Sequence, residues 1–183
     1  MYFKNKGIEN TEETLKIAVE AAKGRGIRHL VVASTFGDTA RKALEVLKGT
    51  DIQLVIVTHN TGFGEPGRQE FQEEIRKEVE GPGGKVVTAT MPFRGIGRAL
   101  KSSVGCSQEE IVANTLRMLC QGMKVCVEIT LMAADAGAIP CTDIIAVSGT
   151  GRGADTAVVI CARPSNNLFD IKIREILAKP LDW

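Results

Sequence analysis

The sequence predicts an α/β fold of three layers, helices on both faces of a mostly parallel sheet with one antiparallel strand. Three observations predict it. Four β-branched runs each end in a hydroxyl residue and a Gly-bearing loop: Leu30-Val-Val-Ala-Ser34, Leu54-Val-Ile-Val-Thr58, Val86-Val-Thr-Ala-Thr90 and Ile144-Ile-Ala-Val-Ser148. Such runs suit strands buried on both faces, as in a parallel sheet. Segments with helical spacing of apolar residues stand between the runs, as parallel crossovers require. A fifth run, Thr156-Ala-Val-Val-Ile-Cys-Ala162, follows the fourth too closely for a crossover, so the pair reads as an antiparallel hairpin.

The elements follow in order. Asn10-Thr-Glu-Glu13 fits a helix cap with an acidic third position. Leu15, Ala18, Val19 and Ala22 then repeat at helical spacing, and Gly24 marks a stop. Ala40, Ala43, Leu44 and Leu47 form a second amphipathic helix, ended by Gly49. The second strand covers about 53–58, and Phe71, Ile75 and Val79 predict a helix over about 68–80. Gly81-Pro-Gly-Gly84 is a turn before the third strand. Glycines weaken any helix in 91–106, leaving a short one over 96–104. Ser107-Gln-Glu-Glu110 is a second capping box, and its helix breaks at Gln121-Gly122. Residues 124–136 fit both a strand alternation and a helical face. The helix is preferred, because a fourth parallel strand needs a crossover and Gly137 suits a helix end. The tail predicts a short helix over 174–178.

At 183 residues one domain, 1–183, is the simplest organisation. The net charge is +1 with no basic run, which argues against nucleic acid and membrane surfaces as partners. No apolar stretch reaches transmembrane length, and the N-terminus lacks a signal-peptide core, so the expected compartment is cytoplasmic. Five cysteines without a C-x-x-C pair and only two histidines argue against a disulfide framework and against a metal site.

In parallel sheets, ligands bind beyond the carboxyl ends of the strands. Four loops there carry the candidate ligand-binding residues. Ser34-Thr35-Phe36-Gly37-Asp38-Thr39 leads from a strand into a helix, whose free N–H groups suit a phosphate. Asp38 opposes an anion, so a plain cap, with Thr35 as N-cap and Asp38 as its partner, is an equal reading. Thr58, His59 and Asn60 stand at a strand end with hydrogen-bonding groups, and Thr90 opens a third loop. Gly149, Thr150, Gly151, Arg152, Gly153 and Asp155 form the richest loop. A strand follows where a dinucleotide fold needs a helix, so a Rossmann site is rejected. A backbone nest for an anion, with Arg152 as counter-charge, stands beside a flexible hairpin turn. Phe36, Phe63 and Phe93 can flank a planar ring or serve as lids or oligomer contacts. Glu128 and Asp135 interrupt an apolar helix face: either they are buried and need a partner such as Arg152 or a ligand hydroxyl, or they form an exposed stripe. No catalytic group is evident.

Val31-Val-Ala-Ser-Thr-Phe-Gly-Asp-Thr-Ala40, Gln53-Leu-Val-Ile-Val-Thr58, the stretch 125–137 and the stretch 143–156 together resemble the C-terminal α/β domain of pyruvate kinase. More closely, the chain resembles a family of small free-standing proteins built on that domain alone. The resemblance implies the fold and a ligand crevice. With no room for the barrel that carries kinase chemistry, it argues against pyruvate kinase activity. In pyruvate kinases the first loop helps to bind a sugar bisphosphate. Ser34, Gly37 and Thr39 match that pattern, while Thr35 and Asp38 stand where basic residues belong and Phe36 replaces a hydroxyl residue.

The cofactor implied by the free-standing family is flavin mononucleotide (FMN). The leading expectation is therefore a binding protein for a small phosphorylated ligand, FMN, at the carboxyl edge. A flavin-dependent oxidoreductase using His59, Asn60 or Arg94, and a regulatory domain responding to sugar phosphates, are the alternatives. A homo-oligomer is expected if Met118, Met123, Met132 or the phenylalanines are exposed.

Overall fold

The computed structural model describes all 183 residues. The chain runs through β1 (Tyr2–Asn5), α1 (Thr11–Arg25), β2 (His29–Ala33), α2 (Asp38–Leu47), β3 (Gln53–Val57), α3 (Glu73–Glu80), β4 (Lys85–Val87), α4 (Gly95–Val104), α5 (Gln108–Arg117), α6 (Gln121–Asp135), β5 (Asp143–Ser148), β6 (Thr156–Cys161) and β7 (Lys172–Asp182). Seven strands form one sheet in the order β1-β7-β6-β5-β2-β3-β4. β5, β2, β3 and β4 are parallel neighbours, β6 is antiparallel to both β5 and β7, and β1 runs parallel to β7. One antiparallel strand in a mostly parallel sheet is the predicted arrangement.

Strand alternation divides the core into two layers. Leu30, Val32, Ile56, Ile145 and Val147 face Leu15, Ala18 and Ala22 of α1, Ala40 and Ala43 of α2, and Ile75 and Val79 of α3. Val31, Val57, Ile144, Ala146 and Ile160 face the other way, against Met123, Cys126 and Val127 of α6 and Ala113 of α5. Burying each Val, Leu, Ile or Met side chain among these contributes roughly 1.5–3 kcal/mol before entropy is subtracted. Both faces of the central strands are covered, which is why they read as continuous apolar runs.

Several boundaries differ from expectation. α1 runs through Gly24 and ends at Gly26, which supplies the left-handed turn (φ 64°). α3 begins at Glu73 rather than near 68. The residues before it form turns, pinned by Gly62 N–H to Arg68 C=O at 2.8 Å and by Phe71 N–H to the Gln69 side chain at 2.9 Å. β4 has three residues, and 88–90 leave the sheet. Gln121-Gly122 does not end a helix but opens α6. Cys120 caps it, its Sγ accepting from Met123 N–H at 3.3 Å. Gly122 is required there because a Cβ would stand 2.5 Å from Thr156 Cβ.

The expected helix over 174–178 is part of strand β7, where Ile173 and Ile176 pair with Ile160 and Val158 across two register shifts. The unpaired flank of β6 and the arrival of β1 on the far side override the weak helical spacing. By contrast, the Ser107 cap holds: its Oγ accepts from Glu110 N–H at 3.1 Å. α6 is helical over 124–135 and Gly137 follows it with φ 63°. No helix is long and apolar enough to cross a membrane.

Candidate ligand cleft

Because β2, β3, β4 and β5 run the same way, their carboxyl ends share one edge. Two cavities open there, of about 650 and about 230 Å³. Both are lined by Ala33, Ser34, Thr35, His59, Gln121 and Val125, so they are lobes of one cleft. The first and second predicted loops, the Gly-rich loop and the start of α6 therefore converge.

The small lobe holds most of the predicted residues. Phe36, Asp38, Thr39, Gly149, Gly151, Arg152 and Gly153 line it beside Ser34 and Thr35. Ser34 Oγ accepts from Ala40 N–H at 3.3 Å in the first turn of α2, which leaves its hydroxyl proton free to donate. Arg152 is not an open counter-charge: its guanidinium pairs with Asp38 and lies 4.8 Å from the Phe36 ring centroid.

Much of the Gly-rich loop serves its own closure. A Cβ on Gly149 would stand 2.6 Å from Gly153 C=O, and one on Gly153, 2.7 Å from Ile8 Cα. Asp155 is fully buried and fills the expected nest itself, accepting from Thr150 N–H at 3.1 Å, Gly7 N–H at 3.3 Å and Thr156 Oγ at 2.8 Å. Thr150 Oγ is buried without a partner. Neither Thr150 nor Asp155 lines either lobe. Gly37, Asn60 and Thr90 also lie outside the lobes. Gly37 turns into α2 with φ 111°, where a Cβ would run into Ile75. Asn60 donates to Thr61 C=O at 2.9 Å. Thr58 reaches the large lobe, but its hydroxyl is engaged with Thr88 Oγ at 2.7 Å and His59 C=O at 2.8 Å.

His59 stands where the lobes meet. Its Nδ1 is 3.1 Å from Glu70 Oε2, its Nε2 is 3.5 Å from Thr35 Oγ, and its ring stacks on Phe63 at 3.7 Å. The Arg94 guanidinium lies 4.1 Å from the Phe63 centroid, so a cation, an aromatic ring and an imidazole form one column on the cleft wall. Carboxylate contact at Nδ1 fixes how the imidazole faces Thr35.

The large lobe has an apolar wall of Met91, Phe93, Ile129 and Met132. Opposite polarity comes from five cations, Arg94, Arg98, Lys101, Arg117 and Lys124, against two carboxylates, Glu110 and Glu128. Of these cations the sequence reading singled out Arg94 alone. Arg94, which caps α4, and Arg98 and Lys101 within it recur at i, i+4 and i+7, a helical spacing that was a usable signal.

Glu128 is buried rather than part of an exposed stripe, and its partners are Lys124, one turn earlier, and Phe93 N–H at 2.9 Å, not Arg152. Burial pushes the Lys124 ammonium below the usual lysine pKa, against the pull of Glu128 in the opposite direction. Asp135 instead accepts from Ser165 N–H at 2.7 Å near the surface. On the buried face of α6, burial raises the Cys126 thiol's pKa, the contact to Ser148 Oγ at 3.1 Å notwithstanding. It is a packing group.

Fold and cleft define an open α/β domain with its pocket at the carboxyl edge of a parallel sheet. The chain belongs to the pyruvate kinase α/β domain family, whose model matches residues 12–160. Two solved structures are similar. One is a Cryptosporidium parvum pyruvate kinase in complex with ADP, 15% identical, covering 81% of this chain and 22% of that one at a TM-score of 0.40. The other is also a pyruvate kinase of Cryptosporidium parvum, 14% identical, covering 83% of this chain and 22% of that one at a TM-score of 0.42. The chain thus spans about a fifth of the length of these pyruvate kinases.

Proposed function

We propose that this chain is a binding protein for a phosphorylated planar ligand, FMN, held at the carboxyl edge of the sheet. The carrying observation is the two-lobed cleft: a lobe with one apolar, aromatic wall facing a cationic side, joined through shared residues to a lobe of hydroxyls and glycine backbone. The ring rests against Phe93, Met91, Ile129 and Met132, and the phosphate end on Ser34, Thr35, Thr39 and the first turn of α2. Arg152 offsets the charge of Asp38 beside it.

Titrating the protein with FMN and with riboflavin, following flavin fluorescence and thermal midpoint, tests this. FMN is expected to saturate and to raise the midpoint. Riboflavin, lacking the phosphate, is expected to bind at least about tenfold more weakly. FMN that neither saturates nor stabilises defeats the reading.

A second reading, a flavin-dependent oxidoreductase, draws support from His59, whose contact with Glu70 and position between the lobes suit a proton-transfer group. Reduction of bound flavin by a nicotinamide donor, lost in His59→Gln, tests it. A response to sugar phosphates finds less support, because Asp38 takes up the charge of Arg152. Pyruvate kinase activity is not part of this proposal.

Self-association belongs to the reading as well. Phe169, 90% exposed, borders an apolar groove with Ile111, Leu116, Leu168 and Ile173, and Met118 is exposed nearby in the chain. Met123 and Met132 are buried and take no part. A monomeric mass by sedimentation at micromolar concentration excludes it.

A further inference from the structure

We infer that the cations on α4, α5 and α6 form a second site, which takes a multiply charged oxyanion ligand alongside the one proposed above. The site deepens that reading: it assigns the large lobe a partner ligand with phosphoryl or carboxylate groups.

Charge balance distinguishes the lobes. In the small lobe Arg152 and Asp38 cancel. In the large lobe the ion pairs are Lys101–Glu110, at 2.9 Å, and the buried Lys124–Glu128. Arg94, Arg98 and Arg117 stand outside both. Arg117 is oriented by neutral groups, Gln121 Oε1 at 2.8 Å and Asn114 Oδ1 at 2.7 Å, and makes no ion pair, although Glu110 attracts it at longer range. Arg94 is braced on Phe63. Arg98 extends from an exposed turn of α4 into the lobe with no side-chain hydrogen bond to the protein.

Three guanidiniums converging on a concave space repel one another, an arrangement that a facing anion relieves. Guanidiniums match oxyanions by paired N–H groups, and three negative charges are needed to balance three positive ones. One phosphate at the first turn of α2 leaves this charge unanswered. Phe93 and Phe63 lie on the same lobe, so the oxyanion ligand reaches the apolar wall on which the ring is placed.

Calorimetric titration with pyrophosphate and, separately, with citrate tests the site, using the full chain with and without saturating FMN. Wild type is expected to bind at least one of them saturably, and the stronger of the two identifies the phosphoryl or carboxylate source. Arg98→Gln, on an exposed helix face, is expected to weaken it about tenfold. FMN affinity in that variant should change by less than about twofold. Arg152→Gln is expected to leave the oxyanion affinity unchanged.

No heat with either anion overturns the site. So does an Arg98→Gln variant that loses FMN as much as it loses the anion, because the cations then hold the FMN phosphate itself. Anion binding that persists in a protein unable to bind FMN defeats the flavin reading and leaves this site standing.

Discussion

The guanidinium of Arg152 meets the carboxylate of Asp38 across 114 positions of sequence, tying the β5–β6 loop to the first turn of α2. The pair lies at the mouth of the small lobe and both partners are well exposed. Its worth to folding is therefore small, about 0–1 kcal/mol. Its effect on an incoming phosphate is larger, because Asp38 repels what Arg152 attracts. Asp38→Asn is expected to tighten FMN about threefold, and Arg152→Ala to weaken it about as much, with both effects shrinking in high salt. Fluorescence titration at two ionic strengths checks this. Equal affinities in all three proteins would remove the phosphate from this lobe.

Lys124 and Glu128 pose the opposite case, a pair with almost no solvent access. Lys124→Met strands a buried carboxylate and is expected to cost about 3–5 kcal/mol in urea unfolding. Adding Glu128→Gln removes the stranded charge, keeps an acceptor for Phe93 N–H and is expected to restore most of the loss. A double variant no more stable than the single one contradicts this account.

The same lysine gives a pH signature. Its pKa is lower folded than unfolded, so above the folded value the unfolded chain binds the extra proton. Stability from this group thus rises with pH from that value up to the unfolded lysine value of about 10.4. Wild type should show the rise in alkaline buffers, and the double variant should lack it.

Gly122 packs its bare α-carbon against Thr156 at the root of the Gly-rich loop. Gly122→Ala gains helix propensity of about 1 kcal/mol, but the clash is with a fully buried β-branched side chain. Overpacking is expected to win by about 1–3 kcal/mol, read as a lowered urea midpoint with an unchanged slope. A neutral or raised midpoint would show that α6 can shift freely.

Cys106 and Cys141 are exposed, whereas Cys120, Cys126 and Cys161 are buried. A disulfide-exchange reagent at neutral pH is expected to titrate two thiols quickly in native protein and all five in denaturant. Fast reaction of a third thiol would show that α6 opens.

The central architecture was legible because it is written locally. Strands with both faces covered must be apolar throughout, and Ile144-Ile-Ala-Val or Leu30-Val-Val-Ala can be little else. The Ser107 cap and Gly137 likewise announce helix ends through short-range bonds. β1 was illegible because its one partner, β7, lies far away in sequence, and β7 because it is pinned between that distant strand and β6. Lys172-Ile-Arg-Glu-Ile carries half-exposed residues with no clean alternation, and the two register shifts against β6 blur what alternation there is.

The site was read in part, for an equally physical reason. Hydroxyls and glycines at strand ends are visible in sequence, and Ser34, Thr35, Thr39, Gly149, Gly151 and Arg152 do line the cleft. What a side chain is already bonded to is not visible: Asp155 consumes the nest and Asp38 the arginine. The cations of the large lobe come from three helices across the sheet's other face, and only those on α4 share a sequence period.

Tyr2 lies beside Lys179, and the terminal ammonium of Met1 donates to Leu177 C=O at 2.7 Å. An edge seam that joins residues 176 positions apart cannot close until both strands are in place. Closing so long a loop carries a high entropic cost, so this seam is expected to form late. Until then β7 offers a bare flank to any passing extended segment, and the first five residues act as its built-in cover.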